Sequence, residues 1–305
     1  MQIAYTTETV PAPSPVAGIA RSAMLVDLNI CVYSGRRMDK KTQDEVTSSK
    51  SSGSKRAASV YKNLFAECKE LDDITKFASR VRAEHYRLTL PWSDNGQRLL
   101  PTKCLFDYQT AMNRYRDEFE RLVELFLDKY DTLVAAAAFQ LGGLFDRAEY
   151  LPRDMVRRRF SIDTGMVPVP LAGDFRVEIE AEVQQDLIDQ FERRMQASMM
   201  QANRDAWDRL YKVLSKISDR LTMEEDGGKR TFHDTMIGNA EELCGLLTAL
   251  NVGDDPKLEH ARFRLEEALN GVTPKVLREE DSTRIETKRK VDAILADFDW
   301  LSGDE

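Results

Sequence analysis

Three histidines, an arginine triplet and a Gly-Gly-Lys turn are the residues of this chain whose types could do chemistry. His85, His233 and His260 fall in three separate segments. None stands three or four residues from another, so no helical turn sets two of them on one face for a metal, and a His-based triad has no local signature. Arg157, Arg158 and Arg159 form a run that could grip phosphate or an acidic partner, or could be a solvated face with snorkelling stems. Arg36, Arg37, Lys40 and Lys41 form a second cluster with the same two readings. Neither cluster is interleaved with aromatics along the chain, as single-strand binders are. "EEDGGKRT" (224–231) is the nearest text to a phosphate-binding loop. It lacks the first Gly of that motif and follows a helical segment, so it reads as a helix stop. Dinucleotide, zincin, EF-hand and nucleophile-elbow motifs do not occur, nor does the Glu-x-x-His of di-metal bundles. The expectation is a protein that is not an enzyme, with no catalytic, cofactor-binding or metal-ligating residue to assign.

The remaining candidates are partner-binding side chains. Trp92 lies in "RLTLPWSDNGQRLLP" (87–101), which reads as a hairpin turning at Asp94-Asn95-Gly96. Trp92 is then either a core plug or an exposed anchor. The acidic end "DFDWLSGDE" carries Phe298 and Trp300. It either docks on a basic, apolar groove of a partner or folds back on the body. With Arg157, Arg158 and Arg159 these complete the candidate contact residues.

Long helices must position them. Leu105, Met112, Phe119, Phe126 and Leu133 stand seven apart, with Tyr108, Tyr115 and Leu122 three residues after the first three. That a/d pattern predicts a helix over about 103–145, roughly 60 Å long at 1.5 Å per residue. A second long helix is expected over about 178–222 and another over about 57–86. The two longest are expected to pair antiparallel as a coiled-coil-like rod, or to self-associate between chains. Met24, Val26, Leu28, Ile30 and Val32 alternate with more polar residues and predict a strand over 24–34. Extended pieces at 86–91, 97–101 and 166–171 are its candidate partners, with Pro91 tolerated only at an edge. Shorter helices are expected over 231–250, 257–270 and 281–298, broken at Gly253, Pro256, Gly271 and Pro274.

The fold expected is thus mainly α. An elongated antiparallel long-helix rod carries a small β-sheet at one end and a C-terminal bundle of shorter helices. Residues 1–23 read as a disordered tail, 24–230 as sheet plus helical hairpin, and 231–305 as a C-terminal helical region.

The bulk numbers agree with that class. Of 305 residues, 31% are charged and 8% aromatic, with only 15 Gly and 10 Pro. That mixture leans towards helices. A net charge of −8 argues against a wholly basic nucleic-acid surface but leaves room for a local patch. The four cysteines, Cys31, Cys68, Cys104 and Cys244, are widely spaced and read as reduced thiols. No basic-then-apolar leader opens the chain, and no apolar run reaches the roughly 20 residues of a membrane span. A cytoplasmic location, without a membrane, is expected.

The order "MLVDLNICVYSGRRMDKK", "TLPWSDNGQRLLPT", long helix, "VPLAGDFRVE" resembles an uncharacterised family of bacterial and bacteriophage proteins, over about residues 24–222. Its members are often encoded near a MoxR-type AAA+ ATPase and a von Willebrand A-domain protein. The resemblance implies an accessory or substrate-adaptor role, or an unrelated phage function encoded nearby. It assigns no catalytic residue. The chain itself lacks a Walker motif and a DxSxS metal-adhesion motif, so it is neither of those neighbours. The expected function is a non-enzymatic helical interaction protein of a phage or mobile element, binding protein partners, a MoxR-type ATPase complex among them. A nucleic-acid-associated protein of phage DNA metabolism, and a virion or assembly component, are the alternatives.

Overall fold

The computed structural model describes residues 15–50, 53–54, 57–94, 96–171, 181–223 and 230–301. Two compact units divide the chain, and both are discontinuous. Unit 1 takes residues 1–27, 87–106 and 166–305; unit 2 takes 28–86 and 107–165. Eleven α-helices and six short strands lie among the described residues.

In unit 1, helix α1 (Pro15–Ser22) leads into strand β1 (Ala23–Cys31). The expected disordered tail therefore stops short: residues 15–22 are helical, and Ile19 is buried in the core. Residues 1–14 lie outside the described ones. Strands β4 (Leu90–Pro91) and β5 (Arg98–Pro101) form the expected hairpin, with Leu90 opposite Leu99. β5 then pairs antiparallel with β1, Ala23 opposite Pro101 and Val26 opposite Arg98. Within unit 1 the strand order is β4–β5–β1, while strand β6 spans Ser161–Pro168 across the division at residues 165 and 166. Pro91, which has no amide hydrogen, sits on the edge strand where none is needed. Gly96 turns the hairpin at φ +88°, and Asn95 lies outside the described residues.

Helix α7 (Ala181–Leu221) is 41 residues long and organises this unit. From Met195 onward its apolar positions Ala202, Ala206, Trp207, Leu210, Leu214, Ile217 and Leu221 are buried. They pack on β4 and on helices α8 (Thr235–Leu250), α9 (Pro256–Leu269) and α11 (Asp281–Leu295). Val183 and Leu187, expected on that stripe, are exposed. Short helix α10 (Pro274–Glu279) stands between α9 and α11. Proline at N1 and a capping side chain start both α9, through Asp255, and α10, through Thr273.

In unit 2, Gly35 reverses the chain at φ +60°, and a Cβ there would lie 3.0 Å from the Phe65 ring. Strand β2 (Arg36–Met38) then pairs antiparallel with β3 (Tyr61–Asn63). Between them lies helix α2 (Lys40–Ser49), whose first turn Asp39 caps by accepting from the Thr42 amide at 3.1 Å. The helix expected from residue 57 begins only with α3 (Lys69–Leu88). Residues 61–63 pair with β2 instead, and Glu67 adopts φ +61°, which no helix accommodates.

The helix expected over 103–145 is also divided. A 3₁₀ turn at Thr102–Cys104 opens α4 (Leu105–Asp128), and α5 (Tyr130–Leu141) follows after Lys129. Its inward positions run Tyr108, Met112, Tyr115, Phe119, Val123, Phe126, Tyr130, Val134 and Ala137. Steps of four outnumber steps of three, which keeps pace with 3.6 residues per turn rather than the 3.5 of a supercoil. The stripe therefore serves a globular aromatic core. Phe65 stands 5.7 Å from Phe126, 5.6 Å from Tyr130, 5.4 Å from Tyr150 and 6.3 Å from Tyr33, ring to ring. The structure is mainly α with a small antiparallel sheet. The expected long coiled-coil rod of helices 103–145 and 178–222 is not confirmed. The stripe of α4 and α5 is buried within unit 2, and that of α7 within unit 1.

Candidate functional site

Residues distant in sequence build an exposed concentration of positive charge in unit 2. Helix α6 (Arg153–Arg157) ends at the arginine triplet, and Phe160 follows as a buried anchor. The Phe160 ring packs 5.8 Å from Phe126 and 6.3 Å from Tyr33, edge to face in both pairs. Tyr33 lies in the turn between β1 and β2, directly before Arg36 and Arg37. The two basic clusters thus meet at one tyrosine. Burial pushes the Tyr33 hydroxyl above its ordinary pKa, and the charges of both Arg37 and Arg159 act on it in the opposite sense.

Pairing sorts the arginines. Arg153 bonds Asp128 at 2.8 Å, and Arg157 bonds Glu124 at 3.0 Å. Arg36, Arg37, Arg158 and Arg159 are exposed and have no carboxylate partner among the described residues. The nearby acids are taken by Lys62, which meets Glu149 at 2.7 Å and Asp39 at 3.8 Å and also donates to the Leu144 carbonyl at 2.8 Å. On the β2–β3 ribbon Met38 stands opposite Tyr61, and Tyr61 is 61% exposed. Alternation places Arg36, Met38 and Tyr61 on one face of the ribbon and Arg37 on the other.

The other candidates are placed differently. Trp92 is 3% exposed and belongs to the unit 1 core, which removes it as a surface anchor. Pro91 and the β4–β5 pairing point its strand inward. Phe298 is 2% exposed, its ring 5.0 Å from Trp207 and 5.8 Å from Tyr211. It is folded back on the body and not presented to a partner. Trp300 falls in the 3₁₀ segment Ala296–Leu301, and its side chain lies outside the described residues.

Other polar side chains of both units are held by the fold itself. Arg284 is 1% exposed and donates to four carbonyls: Arg220 at 2.6 Å, Leu221 and Arg230 at 3.1 Å, and Leu277 at 3.4 Å. Arg220 and Leu221 end α7, so the guanidinium closes that helix where carbonyls lack partners and the dipole is negative. Burial lowers its pKa from the usual arginine range, against the nearby charge of Asp281. His85 is buried with Nδ1 2.8 Å from the Tyr108 hydroxyl. The Tyr130 and Tyr150 hydroxyls donate to the carbonyls of Leu151 and Leu64, at 2.7 and 2.8 Å. Burial lifts Tyr130 to about 12 and raises Tyr150. Among the described residues no three His, Cys, Asp or Glu side chains gather as metal ligands, and no helix is long and apolar enough to cross a membrane.

Asp255 joins α7 to α9. It accepts from Trp207 Nε1 at 3.0 Å, Asn203 Nδ2 at 3.4 Å and the Lys257 amide at 2.9 Å. Burial raises its pKa, but these bonds outweigh burial and hold the carboxyl below the usual carboxylate range. A depressed folded-state pKa means stability that is complete above the unfolded pKa of roughly 4 and lost as pH falls through the lower folded value. Asp255→Ala is expected to lower unfolding free energy by about 2 kcal/mol at neutral pH, through the lost cap and the orphaned indole N–H. Urea titrations at pH 7 and pH 3 check it: the gap between wild type and variant shrinks in acid.

No protein-family model, no curated protein and no solved structure matches the chain.

Proposed function

We propose that the chain is a non-enzymatic interaction protein, an adaptor that works by binding other macromolecules in the cytoplasm. One observation carries this reading. Asp39, Thr47, His85, Thr89 and Arg284 are buried polar groups each engaged by the fold, whereas the unpaired charge stands outside, at Arg36, Arg37, Arg158 and Arg159. Catalytic groups are ordinarily partly buried, perturbed and gathered in a cleft. Here the perturbed groups serve caps and core contacts. The resemblance to a phage and bacterial family makes a MoxR-type AAA+ ATPase complex the first protein partner to test, and a mobile element the expected source. Self-association through the exposed start of α7, at Val183 and Leu187, fits the same reading.

Affinity capture with mass spectrometry, alongside light scattering on the purified chain, tests the proposal. Specific recovery of a protein or nucleic-acid partner, or a defined oligomer, is expected. A strictly monomeric chain that captures nothing would remove it. The second reading, association with nucleic acid, is favoured by the meeting of the two arginine pairs at Tyr33.

A further inference from the structure

We infer that the arginine face of unit 2 is a binding surface for single-stranded nucleic acid. The inference rests on the chain's being a binding protein, and adds the partner and the residues that hold it. Arg36–Arg37 and Arg158–Arg159 are more than a hundred residues apart in sequence, yet the Phe160 ring, directly after Arg159, packs 6.3 Å from Tyr33, which lies four residues before Arg37, and the charges of Arg37 and Arg159 both act on the Tyr33 hydroxyl. Two guanidinium groups, Arg37 and Arg159, are thereby brought to one tyrosine; Arg158 precedes Arg159 and Arg36 lies on the opposite face of the same ribbon beside Tyr61, and none of the four has a carboxylate partner among the described residues. All four are arginine, whose planar donor fork matches phosphate oxygens in pairs. Two acids of the same unit, Asp39 and Glu149, are held by Lys62.

The aromatic neighbourhood decides between possible polyanions. An acidic peptide would need the cations alone. A single strand also offers base faces, and Tyr61 supplies an open ring beside Met38 on the ribbon that carries Arg36. The overall charge of −8 confines attraction to this face.

Fluorescence anisotropy of a fluorescein-labelled 20-mer of deoxythymidine against the full chain tests the assignment. Four phosphate contacts predict a log–log salt slope of about −3, hence roughly fiftyfold weaker binding at 200 mM than at 50 mM salt. The double variants Arg36→Gln/Arg37→Gln and Arg158→Gln/Arg159→Gln should each reduce the slope by about 1.4, whereas the ion-paired control Arg153→Gln/Arg157→Gln should leave it in place. Tyr61→Ala should weaken binding about tenfold with the slope unchanged. Far-UV circular dichroism confirms that these surface variants fold. Absence of binding at 50 mM salt overturns the inference, as does binding that neither double variant weakens. Preference for polyglutamate over the oligonucleotide also overturns it, in favour of an acidic protein. None of these failures touches the capture of a protein partner, so the broader adaptor reading falls or stands on its own experiment.

Discussion

Arg284→Met is expected to lower the unfolding free energy by about 4 kcal/mol. The side chain is 1% exposed and its guanidinium satisfies four carbonyls, two of them the last of the 41-residue helix α7. Methionine fills most of the volume but donates nothing. Each carbonyl left buried without a donor costs about 1–3 kcal/mol, and hydrogen bonds to a charged donor are at the stronger end. Some of that loss is recovered because the variant no longer desolvates a cation, which keeps the net figure below the simple sum. Arg284→Lys should recover less than half. An ammonium has the charge for the helix C-terminus but not the fork that reaches carbonyls at residues 220, 221, 230 and 277 together. Urea unfolding monitored by far-UV circular dichroism reads the result. A loss below about 1 kcal/mol would show that α7 ends without this cap.

Phe65→Ala is the second large effect, expected at about 4 kcal/mol and confined to unit 2. Phe65 is buried and touches Tyr33, Phe126, Tyr130 and Tyr150, three of these pairs at near-perpendicular angles. Truncation removes an aromatic transfer term and leaves a cavity among rings that cannot collapse without losing their other contacts. It also loosens Gly35, whose α-carbon hydrogens face the same ring. Hydrogen exchange locates the damage. Amides of α3 to α5 should lose protection, while those of α8, α9 and α11 keep theirs. Equal loss in both sets would contradict the placement of Phe65 in the core of unit 2. By displacing Tyr33 the variant should also weaken oligonucleotide binding.

The sequence carried the local structure well where physics is local. A strand over most of the expected 24–34, the hairpin with Pro91 at an edge, and the breaks at Pro256 and Pro274 were readable because each rests on a backbone rule. The heptad reading of 103–145 is not confirmed, because sevens fit both 3.5 and 3.6 over a few turns. Only Tyr130, Val134 and Ala137, continuing in steps of four, four and three, separate the two. The helix expected from residue 57 failed because Val60, Leu64 and Cys68 have helical spacing but flank strand β3 and the turn that follows it. Pairing in β2–β3 is a tertiary fact that no local window contains.

The candidate site was legible by halves. Each arginine cluster stood out by composition, but nothing in the sequence showed that Tyr33 and Phe160 would meet. Tyr33 became relevant only when Phe160 brought residue 159 to it. Trp92 and Phe298 were ambiguous for the opposite reason. A tryptophan after a proline and a phenylalanine in an acidic tail look like anchors, and only burial shows that the core uses both. Arg284 gave no signal at all: one arginine on a charged helix differs from its neighbours only by the helix end it meets.

The most direct measurement is affinity capture from extracts of cells that make the protein. Wild type is compared with the quadruple Arg36→Gln, Arg37→Gln, Arg158→Gln, Arg159→Gln variant, with and without nuclease. The account predicts a specific partner set for the wild type, with a nuclease-sensitive fraction that the quadruple variant loses. A wild type that recovers nothing beyond background in either condition, and remains monomeric by light scattering, would contradict it.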